Sequence, residues 1–234
     1  MDSFGGDCYS EPVLSLASAV TRAMRPFGLA LDPEQVDQVS TYIGLLTSWG
    51  RVINLTTIRE PDEILRRHFG ESLYLASALQ LTGNLLDVGS GAGFPGLALK
   101  IVRHDLGVTL LEPGTKKRAF LKEVVRTCRF RGVEIRGEHV EEFCETATGR
   151  FDFVTMRAVG SFRTVLPSIK RCLASTGRAC LWLTGAEVRA LAQSSPEFRR
   201  LFEWDPPLRV PLSQDREIWV GRPRPEARDV PRET

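Results

Sequence analysis

After Leu81 the hydrophobic pattern of this 234-residue chain changes period, and that change restricts the fold more than any other feature. Short apolar runs at residues 85–88, 108–111, 133–135, 151–156 and 179–183 alternate with amphipathic stretches. Strands alternating with helices predict an α/β fold built on a mostly parallel, doubly wound sheet. A weaker pair of runs, 208–211 and 217–220, is expected to close the sheet's edge as a hairpin around residues 213–216. Ahead of the switch, from Val13 to about Leu81, the apolar spacing is helical. Asp32-Pro33-Glu34 and Glu60-Pro61-Asp62 mark helix starts there, because proline in a first turn gives up no needed hydrogen bond.

The expected organisation is a flexible N-terminus (1–12), a helical extension (13–81), an α/β domain (82–221) and a disordered, proline-interrupted tail (222–234). With 42% hydrophobic residues the chain can bury one substantial core, and two full domains would be cramped. Thirty-one basic against 29 acidic side chains leave a formal charge of +2, so attraction to nucleic acid has to come from local clustering. Cys8, Cys128, Cys144, Cys172 and Cys180 form no CxxC pair and no metal-ligand spacing with the three histidines, which suits reduced, buried thiols and no metal site. No secretory signal precedes Pro12, and no apolar run approaches the roughly 20 residues of a membrane span. A cytoplasmic, non-membrane protein is expected.

The chemistry concentrates between Asn84 and Gly96. Leu85-Leu86-Asp87-Val88 reads as a strand, Gly89-Ser90-Gly91-Ala92-Gly93 as a turn needing close backbone approach, and Phe94-Pro95-Gly96 as the entry to a helix whose first turn contains Pro95. Residues 91–96 fit the GxGxxG dinucleotide fingerprint, and Glu112 follows about 20 residues later, where a ribose-binding acid belongs. A nicotinamide cofactor is therefore one reading. Asp87 favours S-adenosylmethionine, because a carboxylate at the strand end helps a ligand carrying an ammonium and a sulfonium and opposes a pyrophosphate. Val140-Glu141-Glu142, after the third strand, can flank an adenine and accept from its exocyclic amine. The bland alternative is an ordinary strand-to-helix turn in which Asp87 caps the helix.

These residues resemble the RsmG (GidB) family of bacterial methyltransferases. The likeness rests on Asn54-Leu55-Thr56, on the block His68-Phe69-Gly70-Glu71-Ser72-Leu73, and on Asp87 through Gly96. It continues in Leu110-Leu111-Glu112 with Lys116-Lys117, in Val140-Glu141, and in Arg157-Ala158. The resemblance implies a class I, Rossmann-like S-adenosylmethionine-dependent methyltransferase fold with a helical N-terminal extension. It also implies methylation of guanine N7 in 16S ribosomal RNA, with Gly89, Phe94, Val140, Glu141 and Arg157 as cofactor contacts, to which the reading of the turn and strand ends adds Asp87, Gly91, Gly93 and Glu112. Three positions depart from the family pattern: Glu112 and Glu71 where aspartate is commoner, and Thr184 where a lysine usually precedes Gly185. Lys170, Arg171 and Arg189 are candidates to replace that charge.

Arg157, at the carboxyl end of the fourth strand, is the expected active-site residue. Arg51, Arg66, Arg67 and His68 on the extension, with Lys116 and Lys117 beside the crevice, are expected to dock RNA, either free or within a small ribosomal subunit or an assembly intermediate. His68 taken alone is more often a structural hydrogen-bonding residue. Asp205-Pro206-Pro207-Leu208 is similar to the Asp-Pro-Pro-aromatic motif of amino-group methyltransferases, but it follows the wrong strand and lacks the aromatic, so it reads as a turn. A monomer is expected. A small-molecule methyltransferase, a nicotinamide oxidoreductase and a non-catalytic RNA-binding protein are the competing readings.

Overall fold

The computed structural model describes residues 15–157, 162–194 and 196–225. Helices come first: α1 (Leu16–Met24), α2 (Pro33–Trp49), and a run in which α3 (Pro61–Glu63) passes into a π-helical stretch (Ile64–Gly70) and continues as α4 (Glu71–Ala78). Both proline-marked starts stand where the sequence puts them. At α2, Asp32 accepts from the Gln35 N–H while the Gln35 side chain accepts from the Asp32 N–H, a reciprocal cap. The π-helical stretch is held from outside the helix: Arg157 Nη2 donates to the Arg67 carbonyl at 2.7 Å, and Trp182 Nε1 donates to the Glu71 carbonyl at 3.0 Å.

The strands are β1 (Asn84–Val88), β2 (Gly107–Leu111), β3 (Val133–Arg136), β4 (Phe151–Arg157), β5 (Leu173–Thr184), β6 (Phe202–Trp204), β7 (Leu208–Arg209) and β8 (Arg216–Pro223). They form one sheet in the order β3-β2-β1-β4-β5-β8-β6, with β7 also on β8. The first five are parallel, and β8 returns antiparallel to β5. Connections run through α5 (Gly96–Val102), α6 (Thr115–Thr127), α7 (Val140–Thr146), α8 (Phe162–Cys172), α9 (Gly185–Ser194) and α10 (Pro196–Leu201). The predicted hairpin forms between β7 and β8.

Three details depart from expectation. β5 starts at Leu173, six residues before Ala179, with a register shift opposite Phe151 and Phe153. β6 is an extra strand on the same edge of β8 as β7, and Pro206-Pro207, with no N–H to offer a ladder, separate the two. The last strand also runs through Arg222 and Pro223, into the segment expected to be a disordered tail; Arg222 Nη2 reaches Asp205 Oδ1 at 2.6 Å. Segments 1–14 and 226–234, and with them Cys8, lie outside the described residues. No helix among the described residues is long and apolar enough to cross a membrane.

Two hydrophobic layers cover the sheet. Leu86, Val154, Met156, Ile169 and Phe202 belong to the layer under α7, α8 and α10. The opposite layer joins α5 and α6 to the helical extension in one continuous core through Tyr42, Phe69, Leu73, Phe94 and Phe120. The extension thus covers one face of the sheet. The parallel order turns back between β1 and β4, and at such a reversal the carboxyl ends of the strands open a ligand crevice.

Candidate active site

The glycine turn sits at that crevice. Gly89, Gly91 and Gly93 all take positive φ, at 68°, 57° and 89°. At Gly91 an added Cβ would meet, among the described residues, only the Gly89 carbonyl, at 3.8 Å, so this face of the turn is open to them. At Gly93 an added Cβ would collide with the Tyr42 hydroxyl, which donates to the Ala92 carbonyl at 2.6 Å. One glycine therefore leaves room for a ligand, and the other admits the helical extension. Pro95 stands just ahead of α5, where it was expected inside the first turn, and its peptide bond with Phe94 is cis.

Asp87 is fully buried beneath the turn, where its carboxylate is bonded internally. Its Oδ1 accepts from Thr155 Oγ1 at 2.8 Å, and its Oδ2 from the Gly96 N–H at 3.2 Å, where it caps α5. Burial pushes its carboxyl up to about 6, against the pull of the Thr155 and Ser90 hydroxyls. Glu112 clamps the turn from β2: Oε2 accepts from the Gly91 N–H at 2.9 Å and Oε1 from the Gly114 N–H at 2.8 Å.

Beside the turn lies a cavity of about 230 Å³ lined by Val88, Gly89, Leu111, Val140 and Glu141, closed by Pro113, Glu138, His139, Thr164 and Val165. Apolar walls with a few acids at the mouth suit an adenine ring and its exocyclic amine. The sequence identified Gly89, Val140 and Glu141. It missed Val88 and Leu111, the strand residues just ahead of Gly89 and Glu112, and nothing in its pattern marks Val165 on α8. Phe94 does not line this cavity: its ring stacks between Tyr42 (5.2 Å) and His68 (4.9 Å) and meets Phe69 edge-on.

Arg157 is likewise turned toward the extension. Its guanidinium is paired with Glu71 at 3.3 Å and donates to the Arg67 carbonyl and to Ser72 Oγ. Glu71 Oε2 lies 3.4 Å from Arg216 Nε as well. The pair is almost dry, with 9% of the Arg157 side chain and 5% of the Glu71 side chain exposed. A surface ion pair does not describe it, and Arg157 does not line the cavity beside the glycine turn.

His68 joins the two halves of the resemblance. One ring nitrogen, Nε2, is 2.7 Å from Thr56 Oγ1, and the other, Nδ1, is buried without a hydrogen-bond partner among the described residues. Burial, reinforced by Arg157, Arg67 and Arg216, pushes the imidazole down to about 3. Between that value and the ordinary 6.5 the unfolded chain binds a proton that the folded chain refuses, so the His68 contribution is intact above about 6.5 and is lost as pH falls toward 3. Asp87 has the opposite sign between its ordinary value and about 6 and masks the effect in the wild type. We expect the stability of His68→Asn relative to wild type to improve by up to about 1.4 kcal/mol per pH unit below 6.5. Urea unfolding of both proteins at pH 7, 6 and 5 measures this, and a constant difference would refute it.

Of the expected RNA contacts, Arg51, Arg66 and Lys116 are exposed, while Arg67 and Lys117 are half-buried and Arg67 is paired with Glu63 at 2.9 Å. His68 is part of the interior stack and not of this rim. Thr184 has its own role: its N–H donates to Glu187 Oε2 while its hydroxyl accepts from the Glu187 N–H, a reciprocal cap on α9. Lys170 and Arg171 end α8, at the amino ends of β4 and β5 and so at the opposite end of the strands from the crevice, whereas Arg189 stays near Gly185. Asp205 opens the link between β6 and β7 and pairs with Arg178 and Arg222, as a turn residue would.

Fold, reversal point and adenine-sized cavity define a class I S-adenosylmethionine-dependent methyltransferase. A solved S-adenosylmethionine-dependent methyltransferase from Aquifex aeolicus shares this fold, with a TM-score of 0.55 at 14% identity over 69% of this chain and 93% of that one. A family model described as GidB, rRNA small subunit methyltransferase G, matches residues 35–197, and the chain belongs to that family. The ribosomal RNA small subunit methyltransferase G of Geotalea uraniireducens (strain Rf4) is 37% identical over 198 residues, covering 80% of this chain and 87% of that protein. Its counterpart from Halorhodospira halophila (strain DSM 244 / SL1) is 34% identical over 169 residues, 72% of this chain and 78% of that protein.

Proposed function

We propose that this protein transfers the methyl group of S-adenosylmethionine to N7 of a specific guanine in 16S ribosomal RNA. The observation that carries the reading is the family match across residues 35–197, which takes in both the glycine turn and the helices packed on it. When bound, S-adenosylmethionine supplies an electrophilic methyl. Gly91 leaves its face of the turn open, Glu112 accepts from a ribose hydroxyl through lone pairs not used by the Gly91 and Gly114 N–H groups, and Val140 and Glu141 flank the adenine; Asp87 acts from beneath, through its charge. Arg51, Arg66, Arg67, Lys116 and Lys117 supply phosphate contacts on free RNA or on a small-subunit particle. The protein works as a monomer in the cytoplasm.

Guanine N7 carries an unprotonated lone pair, so the reaction needs alignment and exclusion of water but no general base. Arg157 is a positioning residue in this scheme, fixing the extension against the crevice. The single-turnover rate on bound RNA is expected to be flat across neutral pH. Base-specific cleavage at N7-methylguanine followed by mass spectrometry reads the product. A bell-shaped rate profile, or methyl on an exocyclic amine or a ribose oxygen, would overturn the scheme.

A further inference from the structure

A second cavity, of about 300 Å³, opens between the π-helical stretch and the turn that joins β7 to β8, lined by Arg66, Arg67 and Arg216, by the carboxylates Glu71 and Asp215, and by the polar turn residues Ser213 and Gln214. Its place in the sheet is fixed by register, because Arg216 pairs with Thr184 at the carboxyl end of β5. Arg157, at the end of β4, donates to the Arg67 carbonyl beneath this cavity. The cavity therefore adjoins the crevice on the β4–β5 side of the reversal point, whereas the adenine-sized cavity, walled by Val88, Leu111 and Val140, lies on the β1–β2 side.

Three arginines line this cavity against two carboxylates, Glu71 and Asp215, and Arg67 is also paired with Glu63. Glu71 is the one carboxylate paired with both Arg157 and Arg216, and Arg66 meets no carboxylate among the described residues, its Nη1 donating to the Leu212 carbonyl at 3.3 Å. Arg216 has a side chain only 20% exposed, yet among the described residues its guanidinium makes no aligned hydrogen bond; it has only the 3.4 Å approach to Glu71. A guanidinium with unused N–H groups beside two further arginines matches an anion that can accept several hydrogen bonds, and phosphate does so bidentately.

We propose that this cavity holds a backbone phosphate of the nucleotide being methylated, gripped by Arg66, Arg67 and Arg216, and so fixes the guanine against the methyl group. The inference rests on the methyltransferase reading above. A base lifted out of its stack is reached by swinging its backbone, and a phosphate anchored beside the crevice limits where the base can land.

Inhibition of wild-type RNA methylation by guanosine and by its 5′- and 3′-monophosphates tests this. One monophosphate is expected to inhibit at least tenfold more strongly than the nucleoside, and Arg216→Gln and Arg66→Gln are each expected to abolish that advantage. Arg66 is exposed and bonded only to a carbonyl, so Arg66→Gln remains informative if Arg216→Gln fails to fold. S-adenosylhomocysteine affinity, measured by calorimetry, should stay within twofold in the folded variants. Equal inhibition by nucleoside and monophosphates, or an advantage that survives in Arg66→Gln, overturns the proposal. A wild type that methylates no RNA at all would defeat the broader reading instead.

Discussion

Gly93→Ala is expected to destabilise the protein by about 3 kcal/mol or more, lowering Tm by roughly 10 °C. Two costs combine. The backbone at Gly93 has φ 89°, which a residue with a Cβ adopts only under strain, and the new methyl would occupy the place of the Tyr42 hydroxyl. Tyr42 is fully buried, stacks on Phe94 and donates to the Ala92 carbonyl, so it cannot withdraw without opening the contact between α2 and the glycine turn. Gly91→Ala offers the contrast: it shares the positive φ but finds open space. Its stability cost should stay near 1 kcal/mol, set by the backbone alone, while S-adenosylhomocysteine binding falls at least tenfold. Thermal unfolding and calorimetry on the two variants separate these effects. Equal stability losses would mean that Gly93 has no packing role.

Most of the parallel strands were legible because β1, β2, β4 and the second half of β5 appear in the sequence as near-continuous apolar runs, interrupted only at Asp87, Thr109, Asp152 and Thr155. The first half of β5 was hidden because Ala174, Ser175 and Thr176 are half-buried or exposed, and Gly177 made the segment look like a turn. The glycine turn and Glu112 declared themselves through residue type and spacing. The π-helical stretch did not, since its geometry is sustained by Arg157 and Trp182, about 90 and 110 residues further along the chain. Arg157 was recognisable as unusual from its place at a strand end, but the direction of its side chain depends on Glu71, which only the fold brings near. The same holds for Arg216: its pairing opposite Thr184 is a property of antiparallel register and has no local sequence signal.

Removing the acid at the centre of that cluster should be the most damaging single change to it. Glu71→Ala would leave Arg157 and Arg216 without their counter-ion, and truncating one partner of a buried ion pair costs about 3–5 kcal/mol. The expected loss is larger than for Arg157→Met, which leaves Glu71 still facing Arg216. If the charges stabilise through one another, the double variant Glu71→Leu/Arg157→Met should be more stable than the sum of the single losses predicts, by at least about 1 kcal/mol. Replacing a buried pair with apolar groups of similar size removes its desolvation cost along with its attraction. Urea denaturation of Glu71→Leu, Arg157→Met and the double closes the cycle, and strictly additive losses would show that Glu71 and Arg157 act independently. RNA methylation separates stability from position: a folded double variant should bind S-adenosylhomocysteine normally yet methylate bound RNA slowly, because the extension is no longer pinned at the end of β4. A double variant with wild-type single-turnover rate would remove Arg157 from any positioning role.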